Sequence, residues 1–229
     1  MSEQSKILAR IREGLKSPAP FPGSEHTAIP PTSPLPSLGA LRAWLPPVGA
    51  KFEQRLALFS RNAADLKTEF HLEDTWAKVS VNLLKLRELE GWKRVGSHAG
   101  ELTDLACRTL ELPVCRTDQT YLTSELETCD VCLTECDALI AQTGSVLLTS
   151  RSAGGRALSV LPPHHVVLAR REQLIADLSE AFALLKKKYN GDYPSFISFI
   201  TGPSRTGDIE RILVLGAHGP KKLTIFLLR

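Results

Sequence analysis

The chain has 229 residues, of which 43% are hydrophobic and 23% are charged, and its formal net charge is +3. This composition is ordinary for one sizeable globular core, and so small a charge gives no indication of nucleic-acid binding. No apolar run approaches the ~20 residues that cross a bilayer, and the first residues lack the apolar core of a secretion signal, so we expect a cytoplasmic protein without a membrane span.

The N-terminal part of the chain predicts a helix on a tether. Apolar residues recur at helical spacing from Ile7 to Leu15, which predicts a short amphipathic helix. Nine of the fifteen prolines then fall between Ser17 and Pro47, a composition typical of an extended linker. The predicted division is an N-terminal helix at residues 1–17, a proline-rich linker at 18–47 and an α/β domain at 48–229.

From Lys51 onward, helical and strand-like patterns alternate. Helices are predicted at Lys51–Phe70, after a cap at Asp74 or Thr75, at Glu101–Leu110 and at Arg171–Tyr189, with a helical turn at Asp137–Gln142. Strands are predicted at Thr68–Leu72, Trp92–Ser97, Val131–Thr134, Ser145–Thr149, Leu158–Leu161, Val166–Leu168, Ser195–Ile200 and Leu223–Leu228. This alternation predicts an α/β fold with a mostly parallel sheet flanked by helices.

Three of the five cysteines are crowded at Cys129, Cys132 and Cys136. The spacing C-x-x-C-x-x-x-C is moderately typical of an iron–sulfur or zinc site. A fourth ligand is missing nearby, and apolar residues alternate with the cysteines on a strand-like segment. Because free cysteine is often buried as a small apolar residue, we expect packing thiols and no metal in this chain.

The loop over residues 201–208 is the strongest candidate for a binding site. Arg205 offers a guanidinium fork for an anion, Ser204 and Thr206 offer hydroxyl groups, and glycines permit close approach of the backbone. The loop lacks the lysine of a phosphate-binding P-loop. Since open α/β sheets bind ligands at the carboxyl ends of their strands, we expect the site there.

Other turns carry similar groups, and each has a plain structural explanation as well. Glycine and hydroxyl side chains meet at residues 143–145, and His218 stands between two glycines. Arg151–Arg156 and His164–His165 are weaker candidates, because surface arginines and strand-end histidines are common. The predicted ligand-binding residues are Thr143, Gly144, Ser145, Thr201, Gly202, Ser204, Arg205, Thr206, Asp208, His218 and Gly219.

Several of these segments resemble the lactate-utilisation protein C family, whose core is called the LUD domain. The resemblance covers roughly residues 50–229 and is carried by AQTGSVLL at 141–148, LPPHH at 161–165, FITGPSRTGDIE at 199–210 and GAHGP at 216–220. Residues 7–12 also look like the family's N-terminal helix. Gly207 stands where the family usually has alanine, which leaves Arg205 and Asp208 in place.

The resemblance implies a fold akin to the ribose-phosphate isomerase and CoA-transferase superfamily. It also implies a subunit that, with two iron–sulfur proteins, supports oxidation of L-lactate to pyruvate, the clusters lying in the partners. On this hypothesis Arg205 pairs with a small anionic ligand, or a redox partner docks at the loop, while Asp208 and His218 orient the loop or move a proton.

Two other functions stay open at this point. A stand-alone enzyme of the CoA-transferase or formyltetrahydrofolate cyclo-ligase kind would use the same fold. A non-catalytic scaffold would hold the iron–sulfur subunits through residues 1–16 and the linker. Neither the residues nor the resemblance assigns a catalytic residue, so whether the chain is an enzyme, as part of an L-lactate dehydrogenase complex, is also open.

Overall fold

A computed structural model describes residues 3–14, 16, 46–209, 212–215 and 219–229. The chain divides into two units, Met1–Leu45 and Pro46–Arg229. In the first unit the predicted N-terminal helix forms over Glu3–Gly14, with Ile7 and Leu8 exposed on its surface. Residues 18–45 of the predicted linker lie outside the described residues, and the predicted boundaries of the three segments stay a prediction.

Helices and strands alternate through the second unit. The helix of the first unit is α1 Glu3–Gly14, and those of the second unit are α2 Phe52–Asp65, α3 Trp76–Glu90, α4 Glu101–Leu110, α5 Thr123–Glu127 and α6 Leu178–Tyr189. The strands are β1 Glu69–Glu73, β2 Val95–Ser97, β3 Val114–Arg116, β4 Val131–Thr134, β5 Ala138–Ile140, β6 Ser145–Thr149, β7 His164–Arg170, β8 Leu174–Ile175, β9 Ile197–Ile200, β10 Arg205–Ile209, β11 Ile212–Leu215 and β12 Lys222–Leu228. No helix among the described residues is long and apolar enough to cross a membrane.

The strands form one parallel sheet, one mixed sheet and a hairpin. Six strands pair in the order β1-β12-β7-β4-β2-β3, and every pairing is parallel. A second sheet has the order β8-β5-β6-β9, in which only β5 and β8 run parallel. Strands β10 and β11 form an antiparallel pair. The predicted α/β fold with a mostly parallel sheet is confirmed.

Both faces of the parallel sheet are covered, which explains its nearly continuous apolar strands. Helices α3 and α4 pack on one face, where Leu83 contacts the same core as Val166 of β7. Helix α2 and the mixed sheet cover the other face, where Phe59 joins Val167. Helix α6 packs on the outer face of the mixed sheet through Leu185. Consecutive β7 residues therefore enter different cores.

Helix α2 ends earlier than the sequence pattern predicts. The predicted helix ran to Phe70, but α2 ends at Asp65 and Lys67 adopts a left-handed conformation with φ 63°. Phe70 lies on β1, where its ring packs edge-on against Phe59 with centroids 5.1 Å apart. The apolar spacing continues past the turn because strand and helix face one core.

The predicted helical turn at residues 137–142 is wrong, because Ala138–Ile140 forms strand β5. Leu139 faces the core beneath α2, whereas Ala138 and Ile140 face the core beneath α6. With both faces buried, the period-two alternation of a strand is absent from the sequence, so periodicity could not separate it from a helix.

The predicted helix at residues 171–189 is correct only in its second part. Residues Arg171–Gln173 form a 3-10 turn and β8 follows, pairing Leu174 with Leu139 of β5. Helix α6 begins after Asp177, whose side chain accepts a hydrogen bond from the Glu180 N–H at 2.9 Å. An N-cap of this kind marks the true start of the helix.

Three other differences concern short elements. The strand predicted at residues 158–161 is wrong, since Ala157–Ser159 forms a 3-10 turn. Strand β3 and helix α5 were not predicted, because elements of three and five residues carry little periodicity. In contrast, α4, β4 and β6 form over the residues predicted, and Thr75 caps α3.

Candidate functional site

A pocket of about 350 Å³ lies between the two sheets. It opens at the amino ends of β7 and β12 and at the carboxyl end of β9. Its polar lining consists of Ser159, His165, Ser198, Thr201, Ser204 and Arg205. The rest of its lining consists of Val160, Phe196, Ile200, Gly202, Pro203, Gly219, Pro220 and Leu223.

The turn after β9 is shaped by its contact with the end of α2. Gly202 adopts φ 86°, and a Cβ there would lie 3.0 Å from the Leu66 carbonyl oxygen and 3.2 Å from the Leu66 Cβ. The Ser204 N–H donates to the Pro220 carbonyl at 2.9 Å, which joins this turn to the segment before β12. Glycine at residue 202 therefore meets a packing requirement and brings polar residues to the pocket.

Arg205 places an exposed guanidinium group at this pocket. One of its terminal nitrogens, Nη2, donates to the Leu66 carbonyl oxygen. Among the described residues, the guanidinium has no other hydrogen-bond partner, so donors remain for a ligand. A second guanidinium, that of Arg156, lies 5.7 Å from the ring centroid of Phe196 in the pocket lining. Guanidinium groups bind carboxylates and phosphates through paired N–H donors.

His165 is the most deeply buried polar residue of the pocket, with 1% of its surface exposed. Its Nε2 lies 2.8 Å from the Thr134 hydroxyl oxygen on β4. Its Nδ1 is buried and has no hydrogen-bond partner in the part of the chain that the structure describes. Burial lowers the pKa of His165 to about 3, so the ring is neutral at pH 7.

His164, the preceding residue, lies on the opposite face of β7. Its ring packs edge-on against Trp92, with centroids 5.1 Å apart, and its Nε2 lies 2.9 Å from the Thr224 hydroxyl. Because that hydroxyl donates to Glu69 at 3.1 Å, the His164 Nε2 is the donor to Thr224. Side chains alternate along a strand, so of this pair only His165 reaches the pocket.

The turn at residues 143–145 is connected to the pocket through hydroxyl groups. The Ser145 hydroxyl donates to the Thr143 hydroxyl, and it also lies 2.8 Å from the Thr201 hydroxyl. Gly144 has φ 66°, and a Cβ there would lie 2.9 Å from the Asn62 Cβ. These three residues are not part of the pocket lining. The Ser145 hydroxyl instead contacts that of Thr201, which is part of the lining.

Of the eleven predicted site residues, the structure therefore brings five together in the lining, namely Thr201, Gly202, Ser204, Arg205 and Gly219. Thr206 and Asp208 belong to β10, and their side chains lie outside what the structure describes. His218 lies outside the described residues. Ser159 and Ser198 were not predicted, and His165 was only a weaker candidate. The pair His164–His165 at a strand start was the available signal, but the sequence did not show which ring faced a cavity.

The pocket also lies at a different edge of the parallel sheet from the one expected. At the carboxyl edge, between β2 and β4, the chain's own groups satisfy one another. The His98 Nδ1 donates to the Ala99 carbonyl at 2.8 Å, and its Nε2 accepts from the Glu135 N–H at 3.3 Å. The Glu135 carboxylate accepts from the Leu102 N–H at the start of α4. Only β9, of the mixed sheet, presents its carboxyl end to the pocket.

The sequence profile of one family, described as the LUD domain, matches residues 59–228. The chain belongs to the LUD domain family. A similar fold is seen in a solved structure described as a duf162 family protein from Deinococcus radiodurans, which is 21% identical with a TM-score of 0.62. That likeness covers 79% of this chain and 100% of the solved one.

Curated relatives carry the name Lactate utilization protein C. The relative from Geobacillus kaustophilus is 39% identical over 88 residues, 38% of this chain and 37% of that protein. The relative from Shouchella clausii is 37% identical over 99 residues, 43% of each chain. The relative from Deinococcus radiodurans is 31% identical over 120 residues, 52% of this chain and 56% of that protein. The LUD chain thus matches about half the length of these relatives, or less.

Four of the five cysteines of this LUD domain are buried, and they are distributed over two apolar cores. Cys129 and Cys132 pack with Cys115 in one cluster, whereas Cys136 belongs to the core beneath α2. Burial raises the pKa of Cys129 to about 11. Within the described ranges, no group of three or more His, Cys, Asp or Glu side chains is placed to hold a metal ion.

Proposed function

We propose that this LUD domain protein is a cytoplasmic subunit of a lactate-utilisation system and binds a small anionic ligand at the pocket between its two sheets. The observation that carries the proposal is the exposed Arg205 guanidinium beside the hydroxyl groups of Thr201 and Ser204. A carboxylate such as L-lactate or pyruvate pairs with a guanidinium fork and accepts further hydrogen bonds from hydroxyls. The names of the curated relatives support the link to lactate.

In this proposal the oxidation of L-lactate to pyruvate belongs to iron–sulfur partner proteins. The chain supplies the anion site, or the surface at which a redox partner docks. Metal coordination within this chain is not part of the proposal, because four of the five cysteine thiols are buried in apolar cores. All five cysteines are free, which fits a reducing cytosol. We assign no catalytic residue.

Growth on L-lactate tests the proposal. A strain lacking the gene is complemented with the wild type, Arg205→Ala, Arg205→Lys or Arg151→Ala. Arg151 is the matched control, because it is an exposed arginine whose guanidinium pairs with Asp192 away from the pocket. We expect Arg205→Ala to abolish growth on lactate but not on glucose, since the ligand loses its charged partner. Arg205→Lys, which keeps the charge without the fork, should grow slowly.

Folding must be separated from ligand binding in this test, because Arg205 also bonds to the end of α2. Thermal unfolding of each purified variant makes the separation. A soluble Arg205→Ala variant with a wild-type midpoint and no growth on lactate supports the proposal. Wild-type growth of that variant ends it. If the proposal holds, co-purification with the tagged chain would identify the iron–sulfur partner proteins directly.

A further inference from the structure

Strand β9 lies at one edge of the mixed sheet. Its first edge pairs with β6, and no strand pairs with its second edge among the residues that the structure describes. The inner strands β5 and β6 are completely buried, whereas every residue of β9 keeps some exposed surface. The unpaired N–H and C=O groups along such an edge are a template for another strand.

Apolar side chains surround this free edge. Phe182 of α6 packs on Phe199 with ring centroids 5.5 Å apart, yet 59% of Phe182 is exposed. Ile197 is exposed on β9 itself, and Val160 is exposed where it lines the pocket beside β9. Natural edge strands are commonly protected from pairing by a lysine or a proline. Residues 195–201 contain neither, so the edge is open to another strand.

The hydrogen bonds to β6 show which backbone groups of β9 face the free edge. The Phe196 carbonyl accepts from the N–H of Ser150, just after β6, at 3.0 Å. Bonding alternates along an antiparallel pair, so Ser198 also directs its N–H and C=O groups towards β6. The N–H and C=O groups of Ile197 and Phe199 therefore point to the free edge.

The sequence of β9 is self-complementary about Ser198. If two copies pair in antiparallel with their Ser198 residues opposite each other, Ile197 lies opposite Phe199, and Phe196 lies opposite Ile200. Each pair of Ile197 and Phe199 then exchanges two hydrogen bonds, because their backbone groups face the edge. The two Ser198 residues form the closer, non-hydrogen-bonded kind of pair, in which their hydroxyl groups can bond to each other.

We propose that two copies of this chain associate through β9, which pairs with itself in antiparallel about Ser198. The pairing joins the two mixed sheets into one continuous sheet. A second copy is the partner that the strand fits, because a two-fold axis at Ser198 sets apolar residues opposite apolar residues on both sides. Centring the pair on Ile197 instead would set Phe196 opposite Ser198, so the side chains also select the register.

This association brings the pockets of the two copies together. Phe196, Ser198 and Ile200 line the pocket from one face of β9. The two-fold axis is perpendicular to the joined sheet, so the same three residues of the second copy lie on the same face. Neighbouring strands are about 4.8 Å apart. The second copy therefore extends the pocket wall that β9 forms.

Sedimentation equilibrium of the purified full-length chain tests the association. We expect the wild type to have twice the monomer mass of 25.1 kDa. Ile197→Lys introduces a charge at the free edge and should return the mass to that of the monomer. Leu89→Lys is the matched control and should stay a dimer, because Leu89 is an apolar residue of α3 with 79% of its surface exposed.

An introduced cysteine tests the register. The Cα atoms of a non-hydrogen-bonded pair lie about 4.5 Å apart, a separation that a disulfide spans. Ser198→Cys should therefore form a disulfide-linked dimer under mild oxidation. Ser195→Cys is the control, because in this register the two copies of residue 195 lie about 20 Å apart along the strands. It should remain without a cross-link, as should the wild type with its five free cysteines.

Each outcome supports or overturns the proposal. A wild type of monomer mass overturns it and leaves the edge to a strand of another protein. A dimer that persists in Ile197→Lys overturns β9 as the interface. Cross-linking of Ser195→Cys but not of Ser198→Cys overturns the register. If Ile197→Lys does not fold, the Ser198→Cys cross-link decides, since its formation supports the pairing and its absence overturns it.

Discussion

The two ends of strand β6 carry polar regions that are built differently. At its carboxyl end, the Asp137 carboxylate is fully buried and accepts hydrogen bonds from Lys188 at 2.6 Å, Ser152 at 2.6 Å and Tyr189 at 2.9 Å. The Tyr189 hydroxyl also lies 2.8 Å from the Thr149 hydroxyl. We call Asp137, Thr149, Ser152, Lys188 and Tyr189 the Asp137 cluster. Every one of its members has a partner within the chain.

Near the amino end of β6, the polar groups around the pocket are only partly paired in hydrogen bonds. Ser145 and Thr201 are hydrogen-bonded to each other, but His165 has a buried ring nitrogen without a partner among the described residues. Arg205 likewise uses one terminal nitrogen and keeps further donors exposed. The comparison teaches that a dense polar cluster can be structural, whereas exposed charged donors, such as those of Arg205, are open to a ligand.

The largest predicted effect is a loss of unfolding free energy when the pH is lowered. Burial lowers the folded-state pKa of His164 to about 4 and that of His165 to about 3, whereas an unfolded histidine titrates near 6.5. The unfolded state therefore binds more protons below pH 6.5, and stability is lost as the pH falls. Between pH 7 and 5 the two rings together should cost about 4 kcal/mol of unfolding free energy.

Urea unfolding at both pH values measures this loss, and His165→Gln should remove about half of it. The Asp137 cluster behaves differently in that window. Burial raises the pKa of Asp137, but hydrogen bonds from Lys188, Ser152 and Tyr189 outweigh burial, and the folded-state pKa lies below 3.8. Its stabilisation is therefore present above pH 3.8 and is lost only at lower pH. An unfolding free energy equal at pH 7 and 5 would contradict the assignment of neutral, buried rings.

The next effect concerns the Asp137 cluster itself. Asp137→Asn removes the charge that Lys188 and its neighbours bond to, and should cost about 3 kcal/mol at pH 7. The thermal midpoint should fall by roughly 6–12 °C. Growth on lactate below that midpoint should not change, since none of the cluster's residues lines the pocket.

Asp192→Asn is the control, because Asp192 is an exposed carboxylate paired with exposed Arg151. It should have no measurable effect on the midpoint. Loss of growth on lactate in Asp137→Asn, with the midpoint intact, would give the cluster a functional role and break the comparison.

The smallest expected effect is at the pocket's glycine turn. Gly202→Ala should destabilise by about 2 kcal/mol, because its φ is 86° and its Cβ would crowd the Leu66 carbonyl. Gly91→Ala shares the left-handed conformation, with φ 67°, but its Cβ would meet nothing within 4 Å. It should cost about 1 kcal/mol. Chemical unfolding compares the two, and equal losses would show that the contact with α2 does not hold the turn.

The features that could be read from the sequence are those with local causes. Helix α4 forms over the predicted residues Glu101–Leu110, and β4 and β6 also form where predicted. The turn at residues 201–205 lines a pocket, because an apolar strand ends there at a glycine with polar neighbours, and ligand binding by this turn stays a prediction. Strand β5 was misread as a helical turn since both of its faces are buried, which removes the periodicity that identifies a strand.

The sequence by itself determined the α/β fold and the position of the polar turn around Arg205, because apolar periodicity and turn chemistry act between residues close in the chain. Its motifs also carried the resemblance to the family. Only the tertiary structure decided that the pocket opens at the amino edge of the parallel sheet and that His165, not His164, lines it. The physical reason is that these features depend on strand pairing. His165 meets Thr134 across 31 residues of sequence, and no local pattern specifies which face of β7 lies over a cavity.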